Sequence, residues 1–243
     1  MNERTQVFWG LLAVALALVI AAVAGSIALS GIRRSGDEIA VTGSARKPIR
    51  SDFIIWRGSV SAQAATMQAA FDQVTRDAGR VRAYLTEKQV PAEETTFGSV
   101  ETMPLQETLA DGRTTGRVTG YQLTQPFEVR SAAVDKIAAL SRQITDLIRE
   151  GIPLVSAPPE YISTRLSELR IEMLAEASKD ARQRAETIAG SVGNRIGKVR
   201  AARMGVFQVT PRYSTDVSGA GINDTSSLEK DITAVVSVTF GLK

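Results

Sequence analysis

An uncharged apolar run near the N-terminus, Val7–Leu29, constrains this chain more than any other feature. As an α-helix, its 23 residues span about 34 Å, slightly more than the roughly 30 Å hydrocarbon core of a bilayer. Trp9 lies near one end of the run, where an indole side chain suits the membrane interface. We therefore predict one transmembrane anchor helix over residues 7–29, preceded by a short tail of residues 1–6.

A cleaved signal peptide is the competing interpretation of the same run. Ala22-Val23-Ala24 has the A-x-A pattern that precedes a cleavage site. The apolar run continues past that point to Leu29, however, and the residues before it carry only one Arg and one Glu. An uncleaved anchor fits these observations better than a removed signal does.

The charges that flank the run leave its orientation open. Arg4 and the terminal amine precede it, whereas Arg33, Arg34, Arg46 and Lys47 follow it. The positive-inside rule would therefore place the rest of the chain in the cytoplasm. A short tail before a first apolar segment is, on the other hand, also how exported domains begin.

The composition excludes several classes of active site. The 243 residues contain no Cys and no His, which excludes thiol nucleophiles, thiolate metal sites, His-based triads and His-ligated zinc. The net charge of +3 is too small to indicate nucleic-acid binding, and aromatic residues are not interleaved with the basic ones. We expect no nucleic-acid partner and no cofactor.

After a polar linker at residues 30–38, apolar residues recur with the periods of strands and helices. A spacing of three or four predicts helices at about 66–89, between a Ser131 cap and Gly151, and at about 163–192. Alternation predicts strands at about 52–62, 118–130 and 232–242. Further strands are predicted at about 39–43, 95–105, 152–161 and 199–210, of which the last does not alternate cleanly. This order predicts an α+β domain over residues 39–243, in which β-α-β-β units pack their helices on one side of an antiparallel sheet.

The acidic residues form no pattern that indicates a catalytic or metal site. Glu168, Glu172 and Glu176 recur every four residues on the predicted third helix, interleaved with Arg165 and Lys179. This spacing is typical of a solvent face that carries ion pairs. We assign no catalytic, cofactor-binding or metal-ligating residue.

Residues 187–215, from the end of that helix onward, form a basic run that contains no acidic residue. It carries Arg195, Lys198, Arg200, Arg203 and Arg212. One interpretation is a patch for an anionic lipid, a glycan or an acidic partner. The other is a solvated strand face whose first cations complement the dipole of the preceding helix.

Two features suggest self-association of the domain. Pro126, the Pro158-Pro159 pair and a bulge expected near Arg203 mark interrupted strands, which tend to lie at sheet edges. The small residues on the third helix form a low stripe that another chain could approach: Ala177, Ala181 and Ala185. Alternatively, the prolines protect the edges and the alanines pack on their own sheet.

Four motifs, in this order and spacing, resemble the SIMPL domain family, also called DUF541. They are a first strand at Ile39–Ala45, a hairpin strand at Gly116–Arg130, an Ala-rich helix around Ala175–Ala189 and an alternating strand at 232–242. The resemblance covers residues 38–243. It implies a bacterial envelope protein that is exported by its N-terminal segment and tends to self-associate, with loose links to envelope or oxidative stress and no catalytic constellation.

From the residues and this resemblance together we expect a non-enzymatic structural or interaction protein of the bacterial inner membrane. It would have a single-pass anchor, a C-terminal domain in the periplasm and a homo-oligomeric state. The alternative is a binding module for a small apolar or anionic envelope ligand. Trp56 and Tyr121 are the candidates to line its pocket, although core packing would also explain both.

Overall fold

The computed structural model describes residues 9, 15–23, 37–110 and 112–243. Trp9 and residues 15–23 are helical, while the rest of the predicted anchor and most of the linker lie outside the described residues. Within the described part of the chain, no helix is both long and apolar enough to cross a bilayer.

From residue 37 onward, strands and helices alternate in an α+β order. The helices are α1 (Met67–Glu87), α2 (Val134–Gln143), α3 (Asp146–Arg149) and α4 (Leu166–Ser191), with a 3-10 turn at Ala92–Glu94. The strands are β1 (Glu38–Arg50), β2 (Phe53–Ala64), β3 (Thr95–Phe97), β4 (Glu101–Thr108), β5 (Thr114–Ser131), β6 (Leu154–Ser156), β7 (Glu160–Ile162), β8 (Ile196–Met204), β9 (Gln208–Pro211), β10 (Ile222–Asn223) and β11 (Glu229–Leu242). The predicted α+β class is confirmed, but the strands form two sheets where we expected one.

The chain divides into two compact units. The first consists of the chain up to Arg46, Ile171–Phe207 and Thr233–Lys243, and the second of Lys47–Arg170 and Gln208–Ile232. In the first unit, β11 lies between β1 and the antiparallel β8. The predicted alternation of the last strand is confirmed, because its even-numbered residues from Ile232 to Phe240 are buried.

In the first unit, α4 packs through small side chains. Its buried residues recur at every fourth position: Met173, Ala177, Ala181, Ala185 and Ala189. The spacing of apolar residues in the sequence also predicts Ile188 and Val192 on this face, and that prediction is wrong, because both are exposed. A row of residues spaced by four follows one ridge of a helix, and that ridge continues from Ala185 to Ala189.

The alanine stripe packs on β1 of its own sheet. A Cβ atom on Gly43 would lie 2.2 Å from the Ala177 carbonyl oxygen and 2.6 Å from the Ala181 Cβ. The Ser44 N–H, beside this contact, donates to Asp180 Oδ2 at 2.7 Å. The hypothesis that the stripe receives a second chain is therefore wrong, because Ala177, Ala181 and Ala185 have no exposed surface.

In the second unit, β5 is an inner strand, with β2 on one side and β3 and β4 on the other. β2 and β5 pair antiparallel from Ile54–Ser131 to Ala64–Tyr121. Helices α1 and α2 pack on this sheet around one apolar core. Its largest fully buried side chains include Ile54, Trp56, Val60, Val74, Leu123, Phe127, Ile137, Ile144 and Leu147.

Pro126 does not lie at a sheet edge, contrary to our expectation. It sits on the inner strand β5, opposite Ser59, where the ladder on the other side passes from β3 to β4. The Gly98 N–H donates to the Pro126 carbonyl at 2.9 Å, and the Gly98 carbonyl accepts from Gln125 Nε2 at 3.1 Å. The side chain of Gln125 thus supplies the donor that proline lacks.

The Pro158-Pro159 pair does mark an edge. It separates the short strands β6 and β7, which both pair with β2 on the side away from β5. The bulge expected near Arg203 is not there, because Arg203 pairs in regular register with Ser237. The register of β8 shifts further toward its start, between Ala201 and Val199 and between Val199 and Ile196.

Candidate protein interface

The acidic row on α4 is a solvent face, as predicted. Glu168 pairs with Arg165 at 2.9 Å, and Glu176 pairs with Lys179 at 2.6 Å. Among the residues that the structure describes, no three acidic side chains cluster closely enough to hold a metal ion.

A cluster of four charged side chains lies on the second unit's sheet. Arg57 contacts Glu128 at 2.7 Å and Glu160, and Arg130 also contacts Glu128. Burial raises the pKa of Glu128, but the hydrogen bonds from Arg130 and Arg57 outweigh this effect and lower it overall. The Glu128 carboxylate is therefore held ionised by two arginines, which suits cross-strand stabilisation better than proton transfer.

Lys230 is a buried cation that the sequence did not single out. It is 2% exposed, and its Nζ donates to the Tyr161 carbonyl at 2.6 Å. Burial lowers the pKa of Lys230, and the charge of Asp224 offsets part of this effect. The amine joins β11 to β7 and has almost no contact with solvent, so it is a structural tie between these strands.

An apolar groove of about 470 Å³ lies between α1 and β4. Its lining is Met67, Gln68, Phe71, Val100, Thr102 and Leu123. Neither candidate from the sequence lines it. Trp56 is fully buried, packs edge-on against Phe127 and donates to Ser156 Oγ at 3.0 Å, while Tyr121 packs against the same core.

The middle of the basic run, Ile196–Met204, forms β8, an edge strand that is open on both faces. Among the described strands it pairs only with β11, and every residue from Lys198 to Met204 is exposed. No acidic side chain in the described part of the chain forms an ion pair with Arg195, Lys198, Arg200 or Arg203. The sequence predicted one strand at residues 199–210 and, from its expected bulge, a place at a sheet edge. In the structure that segment is divided between the edge strand β8 and the separate strand β9.

The other edge strands are blocked or short. β1 carries Pro48, and its Ser44 N–H is occupied by Asp180. β4 carries Pro104, and β3, β6 and β7 have three residues each. Short edges and prolines discourage the addition of a further strand. By contrast, β8 has nine residues and no proline.

The register shows which backbone groups of β8 are free. Met204 lies opposite Val236, and the Gly205 N–H donates to the Val235 carbonyl at 2.9 Å. In an antiparallel ladder this makes Met204 a non-hydrogen-bonded position, as is Ala202 two residues before it. The N–H and C=O groups of Ala202 and Met204 therefore point away from β11, toward the open edge.

Comparison with known proteins identifies the family. The model of the SIMPL family, described as a protein of unknown function (DUF541), matches residues 39–240. Because this match covers most of the chain, the protein belongs to the SIMPL family, and the resemblance is confirmed. The search of curated proteins found no match.

Two solved structures are similar to part of the chain. An amidase of the hydantoinase/carbamoylase family from Burkholderia phymatum is 12% identical with a TM-score of 0.27, and the match covers 54% of this chain and 32% of that one. A putative amidohydrolase/peptidase from Burkholderia cenocepacia is 16% identical with a TM-score of 0.23, over 55% and 34% of the two chains. The chain thus spans about a third of the length of these structures, and scores this low support no inference about its fold or activity.

Proposed function

We propose that this SIMPL-family member is a non-enzymatic interaction protein of the bacterial envelope, which binds other polypeptide chains by strand addition at β8. One observation carries the proposal: β8 is a nine-residue edge strand with both faces exposed. The outward N–H and C=O groups of Ala202 and Met204 are a template for a further strand.

Residues 7–29 hold the protein at the inner membrane in this proposal, and the domain faces the periplasm. The length and uncharged character of the run support the anchor. The family resemblance supports export against the charge count around the run. A tethered domain meets partners in the same membrane at a raised effective concentration.

Homo-oligomerisation remains part of the proposal, but the alanine stripe no longer supports it. The observation that favours it now is the β4–β5 hairpin, whose outer part is exposed on both faces. Met103, Leu109 and Val118 are exposed there. Exposed apolar side chains at the end of a hairpin suit contact with a second tethered copy.

A binding module for a small apolar ligand is the second candidate function. The groove between α1 and β4 favours it, because the groove combines apolar walls with two polar side chains, Gln68 and Thr102. Its half-exposed Met67 and Phe71 could adapt to a ligand by changing rotamer.

Site-specific photocrosslinking in intact bacterial membranes tests the main proposal. A photoreactive residue at Ala202 should yield adducts of defined mass, identified by mass spectrometry. The same residue at Thr187, on the exposed side of α4, is the control and should yield none. No adduct at Ala202, or equal adducts at both positions, would refute binding at β8.

Light scattering of the full-length protein in a non-ionic detergent tests the homo-oligomer. We expect the protein mass to exceed that of one chain in the micromolar range, and Met103→Glu to lower it. A monomeric mass at every concentration would exclude self-association of the solubilised protein.

A further inference from the structure

We infer that β8 binds an extended, acidic segment of a different protein, in which apolar residues alternate with Asp or Glu. The inference rests on the proposed function, and it names the class of partner that the edge accepts. Its grounds are the charge of the strand, the apolar character of one of its faces and the length of its open edge.

The charge of the edge selects an acidic partner. Lys198, Arg200 and Arg203 lie within one strand and lack ion-pair partners among the described residues. The segment of β11 that pairs with them, Val236–Leu242, contains no acid either. A strand that carries carboxylates would therefore meet cations that no neighbouring group neutralises.

The same charge argues against a second copy at this edge. An antiparallel pair of β8 strands would bring two basic rows together, and like charges across a pair of strands are destabilising. Lysine and arginine on an edge strand are in fact a common protection against self-pairing. The edge is thus protected against pairing with a second copy of β8, and it suits a chain of opposite charge.

One face of β8 favours apolar side chains in the added strand. Val199 lies opposite Phe240, and Met204 opposite Val236, so these two share the sheet face whose β11 residues are buried. Yet Val199 is 57% and Met204 61% exposed. A strand added at the edge would place every second side chain beside them, where apolar residues fit.

The acidic residues of the added strand would lie on the opposite face of the sheet. Arg203 lies opposite Ser237, and Ala201 opposite Thr239, on the polar face of the sheet. The alternate side chains of an added strand would lie beside Arg203 on this face. Nine residues of edge extend for about 30 Å, which accommodates a segment of about the same number of residues.

Fluorescence anisotropy with the full-length protein in a non-ionic detergent tests the inference. The probe is a labelled ten-residue peptide of alternating valine and glutamate. We expect saturable binding that weakens at least about tenfold between low and high salt, because exposed ion pairs are screened. A peptide of alternating valine and lysine should not bind.

Backbone pairing is tested separately from charge. N-methylation of alternate residues of the valine–glutamate peptide removes the donors of one edge and leaves its charge unchanged, so binding should be lost. On the protein, Ala202→Pro removes an outward N–H and should weaken binding about tenfold, whereas Ala202→Thr keeps the N–H and should bind normally. Circular dichroism checks that both variants fold.

Charge is tested with matched reversals. Arg200→Glu combined with Arg203→Glu should weaken binding at least about tenfold. Arg142→Glu combined with Arg149→Glu changes the net charge equally at exposed positions of the second unit, and should leave binding unchanged. Equal effects of the two pairs would overturn the inference, because they would show that net charge alone drives binding.

The remaining outcomes separate this inference from the function on which it rests. Equal binding of the N-methylated peptide would overturn strand addition. Binding of anionic phosphatidylglycerol vesicles without binding of the peptide would make the strand a lipid site. If the peptide fails to bind but the Ala202 crosslink joins two copies, the acidic partner is wrong and the interaction function stands. If neither occurs, both are wrong.

Discussion

Replacing Gly43 by alanine should destabilise the first unit strongly, because no space exists for the added methyl group. The new Cβ would lie 2.2 Å from the Ala177 carbonyl oxygen, 2.3 Å from the Ala181 nitrogen and 2.6 Å from the Ala181 Cβ. Two of these three neighbours are backbone atoms of α4, which cannot rotate aside. The helix must therefore shift away from β1.

The expected cost lies at the upper end of the range for overpacked cores, about 3 kcal/mol. In a chain of this size, 1 kcal/mol corresponds to a melting-temperature change of about 2–4 °C, so the melting temperature should fall by about 10 °C. The assay is thermal unfolding of the full-length protein in detergent, followed by circular dichroism at a helix-sensitive wavelength.

Gly190→Ala is the matched control on the same helix. A Cβ at Gly190 meets nothing within 4 Å. Because alanine favours a helix over glycine, this variant should match the wild type or gain up to about 1 kcal/mol. An unchanged melting temperature for Gly43→Ala, or an equal loss for both variants, would refute the packing argument.

A double variant tests where the cost arises. Ala181→Gly, added to Gly43→Ala, removes the Cβ contact and leaves both backbone contacts in place. It should therefore recover little stability. Complete recovery would show that the side chain of Ala181, and not the backbone of α4, sets the distance between the helix and the strand.

Three further predictions concern the anchor, its orientation and one carboxylate. Deleting residues 7–29 should release a soluble domain, while the intact chain should sediment with the inner membrane; a mature N-terminus at Gly25 in mass spectrometry would instead demonstrate signal cleavage. A reporter enzyme that is active only outside the cytoplasm should be active when fused after Lys243, and activity of a cytoplasm-dependent reporter there would reverse the orientation. The hydrogen bond from the Ser44 N–H and the pairing with Arg184 lower the pKa of Asp180. A lowered pKa stabilises the fold above the unfolded-state pKa, and this stabilisation is lost as the pH falls through the folded-state pKa. Asp180→Asn should therefore lower the melting temperature at neutral pH, and the difference from the wild type should close toward about pH 2. An equal difference at both pH values would exclude the charge of Asp180 as its cause.

Periodicity predicted most elements of this fold because it reports a local property, the face that each segment buries. The alternation from Ile232 to Phe240 and the spacing from Ala177 to Ala185 both hold in the structure. The errors arose where burial depends on a neighbour. Ile188 is apolar but lies off the ridge that packs on β1, and Pro126 lies in an inner strand because Gln125 replaces its missing donor.

The edge strand β8 also shows which properties the local sequence determines and which depend on distant residues. A basic, strand-like segment at residues 199–210 is visible in the sequence, since apolar content and charge are properties of consecutive residues. The part of it that forms β8 lies beside β11 and has no strand of the described residues on its other side, and this position depends on pairing with residues more than thirty positions away. Which backbone groups stay free therefore follows from the assembled sheet, because a strand becomes an edge only through the absence of a second neighbour.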